Sequence, residues 1–268
     1  MTGITKARAG QVSTTAAEVY DRKFVPALFG QFAPEIAEAL SIREGEAVLD
    51  VGCGTGIVAL AAAARVGPLG RVAAVDINPG MLAVARAKSD AIEWREAAAE
   101  ALPFDDASFD AVTCQFALMF LADRTKALTE MRRVTKPGGR IGIFVWDTVE
   151  NSPGYDTLVP VLGEVVGPDA ADALSAPFCL GRREDVDDEL ARAGLSPERH
   201  LTFTGTARHA SLDDWIDTEI GGWTLAERVS AEQTERIKKR VRARLSHLVG
   251  TDGGVAFPAP AHLVLIRR

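Results

Sequence analysis

A chain of 268 residues, 47% of them hydrophobic, can bury a large core and fits one α/β domain with an elaboration, or one and a half domains. Its 30 Lys and Arg against 37 Asp and Glu leave a net charge of −7, which argues against nucleic acid as the main partner, because neutralising phosphates needs clustered basic residues. No run approaches about eighteen apolar residues, the start Met1 to Lys6 has no apolar signal segment, and Cys53, Cys114 and Cys179 are odd in number with no C-x-x-C, so the expectation is a reduced, cytoplasmic protein with no membrane span, disulfide framework or metal site.

Residues 1–13 are small and polar and are expected to stay loose. From Thr14 to Ser41 the pattern is helical but interrupted at Pro26 and Pro34, which predicts two or three short helices. Strands and helices then alternate, the signature of a parallel sheet covered on both faces. A strand over 47–51 feeds a helix over 57–66. A strand over 71–75 feeds a helix capped by Asn78 and opened by Pro79. A short strand near 93–95 precedes a loop to Asp106, a strand over 109–114 and a helix from Asp123 to Thr135. Gly138 and Gly139 end that unit, and 140–146 is the fifth strand.

After Trp146 the rhythm changes. Pro153, Pro160, Pro168 and Pro177 punctuate 151–182, which reads as short cap helices. A helix over 183–193 and a strand over 199–206 follow. Residues 211–249 hold two more helices, the second opened by the capping box Ser230 and Gln233. Its basic run, Arg236 to Arg244, reads as the solvated face of an amphipathic helix. A last strand spans 262–267.

The chemistry concentrates in Val48-Leu49-Asp50-Val51-Gly52-Cys53-Gly54-Thr55-Gly56. A buried strand ends in an acid, and a side-chain-free turn then delivers the chain to a helix N-terminus, so backbone N–H groups can approach a nucleoside ligand closely. Asp76 closes the second strand, where a doubly wound sheet grips ribose hydroxyls. A dinucleotide fingerprint would place its last glycine at Ile57; here Gly56 comes one residue early. The Asp50 carboxylate would repel a pyrophosphate but suits a ligand carrying an ammonium and a sulfonium. S-adenosylmethionine is favoured over NAD.

With Val75 to Leu82, Glu100-Ala101-Leu102-Pro103-Phe104, Ser108-Phe109-Asp110, Arg132-Arg133-Val134, Lys136 to Arg140, and the tail Val255-Ala256-Phe257-Pro258 with His262, the chain resembles class I S-adenosylmethionine-dependent methyltransferases. The subgroup it is most similar to is the type 11, ubiquinone/menaquinone-biosynthesis kind, and the similarity runs from about Ala17 onward. The resemblance implies a Rossmann-like, seven-stranded, mostly parallel sheet with an antiparallel last strand beside the sixth. Helices cover both faces, and helical cap insertions are added. The implied division is a helical lid over 1–41, a cofactor-binding core over 42–150, caps over 151–182 and 211–249, and core again over 183–210 and 250–268.

It further implies that Asp50, Gly52, Cys53, Gly54 and Gly56 hold the methionine end of the cofactor, and that Asp76 takes both ribose hydroxyls. Ile77 and Met81 sit near adenine. Many relatives carry an acid at the position of Ala98 that accepts from the adenine amino group; here that bond is absent or is supplied otherwise, with the Ala99 N–H able to serve a ring nitrogen and Glu100 nearby. Cys114, Gln115 and Phe116, at the end of the fourth strand, lie beside the transferable methyl group, and Cys114, Gln115 and Tyr20 count with the cofactor site, Tyr20 and Phe24 belonging to the lid. Phe24, Phe116, Phe120, Trp146, Phe178 and Trp223 are candidate walls of an apolar acceptor pocket under the caps. Gln115, Tyr20 and Asp147 are the candidates for a catalytic role, and S-adenosylhomocysteine is the product. The acceptor is a small molecule, through O, N or C, and the oligomeric state is not written in the chain. Two rival readings are a cofactor-binding protein without catalysis and a nucleotide-dependent oxidoreductase. Against the second, neither Tyr20 nor Tyr155 has a lysine four residues on.

Overall fold

The computed structural model describes residues 14–221, 225 and 228–268. Seven strands form one sheet: β1 (Ala47–Val51), β2 (Arg71–Asp76), β3 (Glu93–Glu96), β4 (Phe109–Gln115), β5 (Thr135–Trp146), β6 (Pro197–His209) and β7 (Val255–Arg267). Their order is β3-β2-β1-β4-β5-β7-β6, with β3 to β5 parallel and β7 antiparallel to both neighbours. The chain reverses direction across the sheet between β1 and β4, so the carboxyl ends of β1, β2 and β4 converge where a doubly wound sheet places its ligands.

Central strands are apolar because both their faces are covered. Val48, Leu49 and Val51 of β1 and Ala111 and Val112 of β4 are fully buried. One face carries α1 (Thr14–Val19), a ten-residue wide-turn helix over Tyr20–Phe29, and α2 (Ala33–Ala39); the crossovers add α3 (Ile57–Val66), α4 (Pro79–Arg86) and α5 (Arg124–Val134). Asn78 caps α4 by accepting from Gly80 N–H at 2.8 Å, and Asp123 caps α5 by accepting from Lys126 N–H at 2.9 Å.

Pro26 does not end a helix as expected. The segment over Tyr20–Phe29 winds with i→i+5 hydrogen bonds, such as Gly30 N–H to Val25 O, and this wider coil accommodates the proline inside it. Pro34 sits in the first turn of α2, where its missing N–H costs nothing. The last strand is longer than its sequence signal: Pro258 and Pro260 mark the stretch of β7 that pairs with β6 alone, before β5 joins at Ala261. β5 also starts earlier than expected, at Thr135, which pairs with Phe109 ahead of a register shift.

Helices α6 (Pro153–Val165), α7 (Pro168–Ser175), α8 (Arg183–Arg192), α9 (Leu212–Gly221) and α10 (Ala231–Leu245) complete the described α-helices. The added helices share a buried aromatic cluster with β7. Tyr155, Trp215 and Phe257 meet edge to face, and the Tyr155 hydroxyl and Trp215 indole both donate to buried Glu219, at 2.7 and 3.2 Å. Burial raises the Glu219 carboxyl to about 7, against the pull of those two donors. The basic run of α10 is largely the solvated face expected, with Arg236, Lys239, Arg240, Arg242 and Arg244 exposed, and several of its cations are also ion-paired. Lys238 binds Asp217 at 2.7 Å, Arg242 binds Asp213, and Arg240 and Arg244 share Glu164, tying α10 to α9 and α6. Among the described residues no helix is long and apolar enough to cross a membrane, and no group of side chains could hold a metal.

Candidate active site

The turn between β1 and α3 is built from three glycines at φ +68°, +52° and +88° (Gly52, Gly54, Gly56), a conformation that side chains disfavour. Their steric reasons differ. A Cβ on Gly52 would lie 2.4 Å from the Ala117 methyl, and one on Gly56 would lie 2.5 Å from the Trp94 ring, whereas one on Gly54 would meet nothing within 4 Å. Gly54 therefore faces open space, and Gly56 is spent on packing helix against strand. Gly56→Ala should cost about 2–4 kcal/mol, combining backbone strain with a ring displaced from the core. Denaturant unfolding measures it, and a loss under half a kcal/mol would contradict this packing role.

Two carboxylates hold the strand tips. Asp50 is buried, with Ala59 N–H donating to Oδ2 at 3.1 Å and the Thr113 hydroxyl donating to Oδ1 at 2.8 Å. Burial raises its carboxyl to about 7, those two donors pull the other way, and Asp76 pushes it up further. Asp76 accepts from Gly54 N–H on Oδ2 and from Asn78 N–H on Oδ1, both at 2.8 Å. Its carboxyl is also raised by burial, in spite of these N–H donors. The side chain lines the cavity and is locked in place by these backbone N–H groups, with that of Ile77 beside them.

A cavity of about 520 Å³ opens over these tips. Of the sequence-predicted residues, it is lined by Asp50, Gly52, Cys53, Gly54, Asp76, Ile77, Met81, Ala98, Ala99, Glu100, Gln115 and Tyr20, and by Phe116 and Phe120. Others lie elsewhere. Gly56 packs on Trp94, as above. Cys114 points into the core, where burial pushes its thiol up to about 12, which leaves it inert as a nucleophile. Phe24 stacks behind Tyr20 with ring centroids 5.8 Å apart. Trp146 stacks behind Phe116 at 3.8 Å and 9°, so it supports the wall without forming it. Phe178 packs on Tyr155 among the added helices. Asp147 accepts from Thr148 N–H and Asn151 and faces His262 at 3.2 Å, away from the cavity. Trp223 lies outside the described residues. Among the described residues, none from 151–182 or 211–249 lines this cavity.

Sequence reasoning missed Phe29, Thr55, Ile57, Val58, Ala97, Ala117, Leu121, Ala122, Asp123 and Lys126. Thr55 to Val58 adjoin the glycine turn and could have been included on position alone. Phe29 reaches the cavity only because the wide-turn helix crosses the sheet edge. Two buried acceptors on the wall, Thr55 Oγ1 and Gln115 Oε1, have no hydrogen-bond partner within the protein. Such groups are costly unless a ligand satisfies them. The donor set thus fits S-adenosylmethionine: an anion for its cationic end, a fixed carboxylate for its ribose, and an opening at Gly54 for close approach.

Comparisons with known proteins agree. A family model described as "Methyltransferase domain" matches residues 49–143. The ubiquinone/menaquinone biosynthesis C-methyltransferase UbiE of Bordetella avium (strain 197N) is 40% identical over 189 residues, covering 66% of this chain and 73% of that protein. The protein of the same name from Hahella chejuensis (strain KCTC 2396) is 39% identical over 142 residues, covering 48% of this chain, which spans 57% of that relative's length. Among solved structures, a Haemonchus contortus phosphoethanolamine N-methyltransferase in complex with S-adenosylhomocysteine superposes with a TM-score of 0.60 at 18% identity, covering 97% of this chain and 58% of that one. At that identity the likeness is one of fold. Cavity, sequence kinship and fold converge, and the chain belongs to the S-adenosylmethionine-dependent methyltransferases of this methyltransferase-domain family.

Proposed function

We propose that the chain moves the methyl group of S-adenosylmethionine by in-line displacement onto a small, largely apolar and flat acceptor. The observation that carries this reading is the aromatic wall at the β4 end of the cavity. Tyr20, Phe29, Phe116 and Phe120 line it, with Phe116 braced by Trp146. Phe116 is held at φ +54°, a strained setting for a non-glycine residue that its ring stack over-determines. The C-methyltransferase names of the relatives point to ring carbon as the receiving atom.

The donor is already activated, so alignment and exclusion of water supply the rate, and holding two reactants in near-attack geometry is worth roughly 7–11 kcal/mol. Among the described residues, the aromatic wall itself carries no carboxylate or imidazole. Burial, then Asp76 and Asp21, push the Tyr20 hydroxyl well above its ordinary range, which makes it a proton donor at neutral pH. The reading therefore favours an acceptor that is nucleophilic without help. In it, Asp50 to Gly54 hold the methionine end, Asp76 the ribose, Ile77 and Met81 the base, and Gln115 a polar group of either substrate. Residues 1–41 serve as lid, 42–150, 183–210 and 250–268 as core, and the intervening helices as additions that brace it. A cytoplasmic setting and a non-nucleic-acid partner complete the proposal, in keeping with the net charge of −7.

Incubation with methyl-labelled S-adenosylmethionine and a panel of hydroxyaromatic and amine acceptors tests it. Phe116→Ala should lower turnover at least about tenfold with S-adenosylhomocysteine affinity changed by less than about threefold, since the ring positions the acceptor alone. Equal losses in both would remove Phe116 from the acceptor wall.

A further inference from the structure

We propose that Lys88 is a positioning residue that latches the lid over the bound cofactor by joining it to the glycine turn, a role that rests on the cofactor reading above. α4 starts just behind Asp76, and Lys88 follows its last turn, with its N–H on Ala85 O at 3.0 Å. There α1 of the lid lies against α4. The Lys88 ammonium makes two contacts. It pairs with Asp21, in the first turn of the wide-turn helix, and it donates to the Thr55 carbonyl at 2.9 Å. An ammonium carries three donors, so one group serves both acceptors at once. The Lys88 and Asp21 side chains are only 25% and 23% exposed, which spares the pair much of the screening that makes surface ion pairs worth little.

Lys88 stands outside the cavity, but each of its partners adjoins the wall. Asp21 follows Tyr20, a lining residue, and the two are electrostatically close: the Tyr20 hydroxyl, raised chiefly by burial, is pushed up further by Asp76 and by Asp21. Thr55 lines the cavity itself, and its buried hydroxyl has no partner within the protein. A ligand that orders Thr55 therefore also orders the carbonyl that Lys88 holds, and through Lys88 the lid. Two other polar ties, Lys23 to Asp214 of α9 at 2.9 Å and Gln31 to the Thr206 N–H and carbonyl of β6 at 3.0 Å, anchor the lid to other elements. Lys88 is where lid and glycine turn meet in one side chain. Opening the lid breaks the Asp21 pair, so bound cofactor leaves more slowly with the latch than without it.

Stopped-flow release of S-adenosylhomocysteine from the full chain reads the latch. Tryptic cleavage at Arg22 and Lys23, both exposed, reads the lid. Lys88→Met keeps the reach of the side chain and loses both contacts. It should speed release about tenfold, with a similar fall in calorimetric affinity, and S-adenosylhomocysteine should no longer slow the cleavage. Lys88→Arg keeps a charged donor for both acceptors and should hold release within about threefold of wild type. Asp21→Ala removes only the lid's half of the contact, outside the core sheet, and should speed release about fivefold. A wild-type release rate in Asp21→Ala overturns the proposal, and so does wild-type protection of the lid by S-adenosylhomocysteine in Lys88→Met. Failure of the unaltered protein to bind S-adenosylhomocysteine overturns the cofactor reading instead.

Discussion

Replacing Asp76 with Ala is expected to weaken S-adenosylhomocysteine binding by about 2–4 kcal/mol, roughly 30- to 1,000-fold. Two losses add. The first is the charge-assisted grip on the ribose hydroxyls. The second is the turn itself, because the same carboxylate receives Gly54 N–H and Asn78 N–H at 2.8 Å and so ties the β1 and β2 tips together. Without it the glycine turn loses the contact that fixes Gly54, the one glycine of the three facing open space. Asp76→Asn separates the parts: one amide oxygen can still receive an N–H, but the amide nitrogen opposes the other. Its affinity should fall between those of wild type and Asp76→Ala. Isothermal calorimetry measures all three, and unchanged affinity in Asp76→Ala would falsify the ribose assignment.

The elements legible in the sequence were those fixed by local chemistry. Strand 47–51 ends where an acid and a glycine turn stop it, and α3 begins and ends at Ile57 and Val66 as its apolar run does. The Asn78 and Ser230 caps were readable because a capping side chain acts within three residues of its own position. What was not legible depends on distant partners. Pro260 looks like a strand breaker until β7 is seen running past the end of β5, where its missing N–H has no ladder to leave. Pro26 looks like a helix breaker until the coil around it widens.

The cavity divides the same way. Asp50, the glycines and Asp76 could be named from the motif, since strand tips and turns are adjacent in sequence. Phe29 and Asp123 could not, because they reach the wall from segments whose path is set by tertiary packing. Trp146 shows the converse error. An aromatic at a strand end suggests a wall, yet its ring stands behind Phe116. Among the described residues of the added helices, Tyr155 and Trp215 turn their rings on each other and on Phe257.

Raising the pH from 6 to 8 should tighten S-adenosylmethionine binding about tenfold, with the gain levelling off above pH 7 to 8. The reason is the Asp50 carboxyl, which burial lifts to about 7 in the free protein. Below that pH it is mostly neutral, and a cationic ligand must first drive off its proton; above it, the carboxylate is already present. At pH 7 binding should release about half a proton, measurable from the buffer dependence of the binding enthalpy. S-adenosylhomocysteine lacks the sulfonium charge and should show a weaker slope, and Asp50→Asn should show none. The same shift acts on folding with the opposite sign. The unfolded chain ionises this carboxyl near pH 4, whereas the folded chain holds the proton to about 7. The native state therefore binds more protons across that window, and ligand-free stability declines as pH rises through it, by as much as about 4 kcal/mol for one such group. Glu219, also raised to about 7 by burial, pulls in the same direction from the added helices. Ligand-free protein should thus melt lower at pH 8 than at pH 6, and S-adenosylmethionine should recover more stability at pH 8. A binding constant that stays flat from pH 6 to 8, in a protein that still binds the cofactor, would mean that Asp50 does not face the cationic end of the ligand.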